Sequence, residues 1–231
     1  MRPFIYFITK NSIRIFARLL LRLKAVGLEH VPRTGPLLFA PNHVSYLDIP
    51  MLAAVIPRPL HFVGKSSLFR GLFSGWFYRS LNGIPLEYGK GSRGALMEAV
   101  RRLKEGHCVV IYPEGARSLT GRLQEPKAGI GMLAAMSGAK VIPVYVDGTD
   151  KALPVGSGWI RFHPVVVYLG EPMDFSARAA DSTHKDLYSE ISREIMDRIS
   201  GLEARAKAKG AVSERAEGRP APAGQNPSRH D

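Results

Sequence analysis

From about residue 35 onward, apolar positions alternate between two rhythms: short unbroken apolar runs, and longer stretches in which apolar residues recur every three or four positions. Residues 37–41, 60–64, 84–86, 108–112, 141–146 and 165–169 form the short runs and read as strands, buried on both faces where the run is continuous. Between them the helical spacing predicts a helix beginning near Ser45 or Tyr46 that carries Leu47, Met51, Leu52 and Val55. A second runs from Ser92 to about Glu105, a third covers residues 127–137, and the fourth extends from Asp186 to about Lys207. Gly138 stops the third, and Leu187, Ile191, Ile195, Met196 and Ile199 line the inner face of the fourth. Strands alternating with helices predict an α/β fold: a single layered domain whose central sheet, mostly parallel or mixed, is flanked by helices. Pro143 lacks a backbone donor, which predicts an edge strand or a strand end at that position. Leu68, Phe69, Leu72, Phe73, Trp76, Phe77 and Leu81 form a large apolar stripe that fits a core helix; Arg70 and Arg79 beside it leave a membrane contact or a channel wall open.

The two ends depart from this alternation. Arg14, Arg18 and Arg22 share one helical face, with Ile8, Ile15, Phe16, Leu19, Leu20 and Leu23 around them and Arg2, Phe4, Ile5, Tyr6 and Phe7 ahead of them. Charges interrupt every 18-residue window, so a helix lying in a membrane interface is expected rather than a span, with an ordinary surface helix as the plainer alternative. Lys10 and Arg14 break the first apolar run and no small-residue cleavage site follows, so no signal peptide is expected. The last 22 residues are rich in Gly, Pro, Ala and charge and predict disorder. The expected division is therefore a basic amphipathic segment at residues 1–33, a folded domain at 34–207 and a disordered tail at 208–231.

Charge sharpens the choice of partner. Lys and Arg number 32 against 20 Asp and Glu, a net charge of +12, of which the last 31 residues (6 basic, 4 acidic) carry +2. An anionic partner follows: lipid headgroups, a nucleic acid, or an acidic carrier. The basic residues of the N-terminal segment are interleaved with Phe and Ile rather than set in a helix-turn-helix or aromatic platform, which argues against nucleic acid. Cys108 is the single cysteine, which excludes an intramolecular disulfide and a cysteine-rich zinc site. His61, His107, His163 and His184 are scattered, so no metal site is expected.

Two clusters carry candidate chemistry, each immediately after an apolar run. In Asn42-His43-Val44-Ser45-Tyr46-Leu47-Asp48, a carboxylate in the first helical turn can reach back to the imidazole of His43, fix its tautomer and stabilise the imidazolium. Such a pair without a serine suits activation of a hydroxyl that belongs to a substrate; Asn42, Ser45 and Asp48 also fit helix caps and turns. In Tyr112-Pro113-Glu114-Gly115-Ala116-Arg117-Ser118, Gly115 allows close backbone approach and Arg117 offers a fork of donors matched to phosphate. Glu114 would orient a ligand or hold Arg117, and a turn with a structural salt bridge is the bland alternative.

Taken together the clusters resemble the glycerolipid acyltransferase family. Its Asn-His-x-x-x-x-Asp block is matched by Asn42, His43 and Asp48. Its Phe-Pro-Glu-Gly-Thr-Arg-Ser block is matched by Pro113, Glu114, Gly115, Arg117 and Ser118, with Tyr112 and Ala116 as substitutions. A later apolar stretch ending at a proline is matched by Val141-Ile142-Pro143-Val144, and the likeness extends over roughly residues 25–175. It implies transfer of a fatty acyl group from acyl-carrier protein or acyl-coenzyme A, with no cofactor, to the sn-2 hydroxyl of 1-acyl-sn-glycerol 3-phosphate. His43 and Asp48 would be catalytic; Glu114, Gly115, Arg117, Ser118 and Lys65 would bind substrate, Asn42 and Pro143 would give structural support, and amides near the Gly115 turn would serve the oxyanion. Tyr88 stands where the family usually has an arginine, which points to Lys90 or Arg93 as replacement cations and raises another lysolipid, such as a lyso-ornithine lipid, as acceptor. A non-catalytic membrane-binding relative is the alternative of a different class. Cys108 lies inside an apolar run and reads as core rather than as an acylated nucleophile. The expected location is peripheral or monotopic, on an anionic membrane at the cytoplasmic face.

Overall fold

The computed structural model describes residues 2–86, 92–181 and 185–216. Tyr88, Lys90 and His184 fall outside these, as do residues 217–231 of the expected tail. Seven strands form one sheet: β1 (Lys24–Val26), β2 (Leu37–Pro41), β3 (Leu60–Lys65), β4 (Gly83–Leu86), β5 (Cys108–Val110), β6 (Lys140–Asp147) and β7 (Val166–Leu169). Their spatial order is β1-β7-β6-β2-β5-β3-β4. Every neighbouring pair is parallel except β6 and β7.

Helices cover both faces, which is why the central strands are apolar without alternation. On one face α1 (Arg2–Leu20), α2 (Asp48–Val55) and α3 (Leu72–Ser80) pack on Leu37, Phe39, Phe62, Val110 and Ile142. On the other, α4 (Ser92–Lys104), α5 (Gly129–Ser137) and α8 (Lys185–Ala216) pack on Leu38, Ala40, Val109 and Val141 through Ala99, Leu103, Leu133, Ile191, Ile195 and Ile199. Two short helices, α6 (Thr149–Ala152) and α7 (Ser176–Asp181), lie in the connections.

Four details differ from the expectation. Residues 24–26, placed in the N-terminal segment, form an edge strand whose partner is β7, and Tyr6, Ala17 and Leu21 of the same segment are buried in the core. The helix expected to end near Lys207 continues to Ala216, so part of the expected tail is helical. Of the apolar stripe, Phe69, Tyr78 and Leu81 are buried but Leu72, Phe73 and Trp76 face solvent, with Leu72 98% exposed. Pro143 sits inside the sheet, in β6 between β2 and β7. A proline is tolerated there because it falls at a break in the β6–β7 pairing: β7 ends at Leu169, the Gly170 N–H donates to the Pro143 carbonyl at 2.9 Å, and pairing resumes only between Val141 and Met173.

Candidate active site

Pairing of β2 with β5 decides where the chemistry sits. Phe39 is the register partner of Val110, and the Ile111 N–H donates to the Phe39 carbonyl, so the chains leaving both strands run side by side at the C-terminal edge. That is where parallel sheets place ligand sites. His43 and Tyr112 thereby stack at 3.7 Å between ring centroids with planes 16° apart. The Ser118 N–H donates to the His43 carbonyl at 2.8 Å, and the His43 N–H donates to Glu114 Oε1 at 3.0 Å.

Asp48 is fully buried at the first position of α2. A buried carboxylate must be matched by donors, and here four converge. Oδ2 takes the His43 Nδ1 proton at 2.8 Å and the Val44 and Ser45 backbone N–H groups at 2.9 Å each; Oδ1 takes the Thr149 hydroxyl at 2.6 Å. An ionised carboxylate only accepts, so Nδ1 carries the imidazole proton and Nε2 keeps its lone pair. Asn42 holds the same loop to β6: its amide donates to the Val146 carbonyl at 3.1 Å and its Oδ1 accepts the Val146 N–H at 2.7 Å. Ser45 donates to the Leu153 carbonyl at 2.9 Å.

A cavity of about 690 Å³ opens in front of His43. Its walls are apolar along Ile49, Val63, Leu68, Leu86, Leu96, Ile111 and Ile130, and three cations, Lys65, Arg117 and Lys127, reach it. The Arg117 guanidinium lies 3.7 Å from the centroid of the Tyr46 ring, close enough for a cation–π contact. Gly115 adopts φ +72°, and a Cβ there would come within 2.9 Å of the Lys127 stem, so glycine both makes the turn and leaves room for the lysine.

The expected site residues separate into groups. His43, Gly115, Arg117 and Lys65 line the cavity, and Asp48 orients His43 from beneath. Glu114 is not among the residues lining the cavity: it is buried, its second oxygen accepts the Gln124 N–H at 3.3 Å, and its carboxyl is pushed up to about 6, chiefly by burial. It holds two loops together instead of Arg117. Ser118 is buried and its hydroxyl lies 3.4 Å from that of Thr120. The Gly115 N–H, expected among the oxyanion donors, is committed to the Tyr112 carbonyl at 3.1 Å. Pro143 lies apart, on a smaller cavity with His30 and Gly170, and Arg93 is on the exposed start of α4. Cys108 is buried in β5, its thiol raised to about 11 by burial, and lies outside the cavity lining.

Three participants were missed. Lys127 was read as the start of a helix that begins only at Gly129; its N–H instead donates to the Pro113 carbonyl at 2.8 Å, which holds it in the loop. Tyr46 was noted without a role. Thr149 follows Gly148 at the end of β6, and that strand end was the available signal. A Cβ at Gly148, with φ +87°, would overlap the Pro164 carbonyl oxygen, so the turn that delivers Thr149 to Asp48 requires glycine. Among the described residues no three of His, Cys, Asp and Glu form a group able to hold a metal ion.

A family model described as acyltransferase matches residues 22–147, more than half of the chain, and takes in His43, Asp48 and every described residue of the cavity lining, though not Thr149. The chain belongs to the acyltransferase family. It is 32% identical over 165 residues to the chloroplastic 1-acyl-sn-glycerol-3-phosphate acyltransferase of Arabidopsis thaliana, covering 70% of this chain and 46% of the relative. With the 1-acyl-sn-glycerol-3-phosphate acyltransferase of Bacillus subtilis it shares 23% identity over 197 residues, covering 84% and 94%. The chain thus spans about half of the plant protein and nearly all of the bacterial one. The crystal structure of the 1-acyl-sn-glycerophosphate acyltransferase from Thermotoga maritima superposes with a TM-score of 0.70 at 26% identity, covering 88% of this chain and 81% of that one.

Proposed function

We propose that this acyltransferase moves a fatty acyl group from a thioester, on acyl-coenzyme A or acyl-carrier protein, to the sn-2 hydroxyl of 1-acyl-sn-glycerol 3-phosphate. The observation that carries the reading is the His43–Asp48 pair at the mouth of a cavity whose walls are apolar and whose rim is cationic. An amphiphile with an acyl chain and a phosphate matches that division, and the named activities of the relatives agree with it. Of the described residues, Ser45 donates its hydroxyl to a backbone carbonyl and Cys108 is core, so neither stands ready as a nucleophile beside His43.

In this reaction His43 Nε2 removes the proton of the acceptor hydroxyl as its oxygen attacks the thioester carbonyl. Asp48 stabilises the imidazolium, the tetrahedral oxyanion collapses, and the thiolate leaves with the proton that His43 returns. Direct transfer needs no acyl-enzyme. Arg117, Lys65 and Lys127 hold the acceptor phosphate, Arg117 in a forked geometry, while Glu114 positions His43 through its backbone.

No helix among the described residues is long and apolar enough to cross a membrane. We place the protein peripherally on an anionic membrane, through Phe4, Phe7, Ile8, Ile15, Phe16 and Leu19, which α1 exposes beside Arg14 and Arg18. The deciding test is transfer of a radiolabelled acyl group from each donor to a panel of lysolipids in micelles. Labelled phosphatidate made by wild type and lost in His43→Ala supports the proposal. Product from another lysolipid alone reassigns the acceptor, and none from any pair overturns the reading.

A further inference from the structure

Besides the exposed apolar residues of α1 and α3, a further exposed apolar surface lies between α6 and β7, far in sequence from the N-terminal helix. Trp159 is 84% exposed and Phe162 78%, with Ile160 and Val155 also turned outward. A lone exposed apolar residue needs no explanation, but a run of four around one turn does. The turn is fixed by its own bonds. The Ser157 N–H donates to the Pro154 carbonyl at 3.0 Å, the Ser157 hydroxyl to the Trp159 carbonyl at 3.0 Å, and the Arg161 N–H to the Ala152 carbonyl at 2.7 Å. Aromatic side chains are therefore held out by an ordered loop.

Both ends of this loop join elements already described. At its end the Val165 N–H donates to the Leu21 carbonyl at 2.9 Å and its carbonyl accepts the Lys24 N–H at 3.0 Å, which ties the loop to the exit of α1. At its start the Leu153 carbonyl accepts the Ser45 hydroxyl, two residues from His43. The charge pattern is one-sided. No Asp or Glu occurs in residues 1–28 or 151–170, whereas Arg22, Lys24, Lys151 and Arg161 are exposed in these stretches. Asp147 and Asp150 lie at the loop's base and are only partly exposed.

We propose that the loop of residues 155–162 is a membrane-inserting element. It docks on an anionic bilayer beside the C-terminal half of α1, with Trp159 and Phe162 among the acyl chains and Arg161, Arg22 and Lys24 at the phosphates. Tryptophan at the headgroup boundary and basic residues at an anionic surface are what this combination fits. The Ser45–Leu153 hydrogen bond joins this element to the loop that carries His43, so insertion would tether the active-site loop to the bilayer. The inference rests on the membrane reading given above, but its test does not depend on acyl transfer.

The chain has two tryptophans, so Trp76→Phe leaves Trp159 as the sole indole reporter in the full-length protein. On addition of phosphatidylcholine vesicles containing phosphatidylglycerol, Trp159 emission should shift to the blue and be quenched by brominated acyl chains. Phosphatidylcholine alone should give a weaker response. In the otherwise wild-type chain, Trp159→Ala with Phe162→Ala should lower vesicle partitioning by about tenfold or more, with the thermal midpoint and transfer to a micellar acceptor retained. Protein that sediments with vesicles while Trp159 emission stays unshifted and unquenched would overturn the proposal, as would a double variant that partitions like wild type. A shift on adding acyl-carrier protein but not vesicles would reassign the loop to protein docking. Loss of transfer in every assay with Trp159 still quenched would sink the proposed reaction and leave this surface standing.

Discussion

The base and the cations of the cavity are built on opposite principles. Around His43 nearly every polar group has an internal partner: Asp48 receives four donors, Asn42 exchanges two hydrogen bonds with Val146, and Glu114 joins two loops. The cations that reach the same cavity, Lys65, Arg117 and Lys127, form no ion pair with any described residue, and the Arg117 guanidinium lies over the Tyr46 ring. A base must hold one tautomer and one orientation before substrate arrives, which demands a rigid, satisfied surround. A phosphate site instead gains from cations that stay hydrated and uncommitted until an anion binds. The residues around the base should therefore respond to mutation through rate and stability, the cations through affinity.

The sharpest test is His43→Ala. Transfer should fall by about 10²- to 10⁴-fold, while stability changes little because Asp48 keeps its three other donors; parallel rate assays and urea unfolding check both. Transfer left near the wild-type rate would break the contrast. Next is Thr149→Val, which leaves Asp48 Oδ1 without its hydroxyl partner at 2.6 Å. We expect about 1–3 kcal/mol of destabilisation and a lower kcat with unchanged KM, read from unfolding curves and steady-state kinetics.

Glu114 supplies a pH signature. Burial raises its folded pKa to about 6, above the unfolded value, although the amide donors of His43 and Gln124 oppose the rise. Its contribution to stability is therefore full below about pH 4.5 and lost as pH rises through 6. The loss is at most about 2 kcal/mol and nearer 1 with solvent screening. Glu114→Gln does not titrate, so the stability of wild type relative to the variant should decline by that amount between pH 4 and 7.5 in urea titrations. A constant difference would show that the carboxyl is not desolvated. The smallest effect is expected among the cations: Arg117→Ala should raise KM for a phosphorylated acceptor about tenfold, with kcat and unfolding midpoint unchanged. A fall in kcat instead would place Arg117 with the base rather than with recognition.

Much of this molecule was legible in the chain because its signals are local. Unbroken apolar runs mark strands covered on both faces, and six of the seven strands carry one. The seventh, β1, is three residues long and exposed on alternate positions, so it has no run to read. His43 and Asp48 lie five residues apart around a strand-to-helix junction, where a single turn brings them together. The exposure of Leu72, Phe73 and Trp76 was not legible, since spacing identifies an apolar face without saying what covers it.

By itself, the sequence determined the α/β layering, the His43–Asp48 pair and the basic amphipathic character of α1, all set by side-chain type and spacing within a few residues. Tertiary structure alone decided that Glu114 bonds the His43 and Gln124 backbone, that Thr149 completes the shell of Asp48, and that Lys127 joins the cations of the cavity. Those roles depend on which strands are neighbours. The β2–β5 and β2–β6 pairings join residues 71 and 101 positions apart, and long-range register is set by packing of the whole sheet, not by any local pattern.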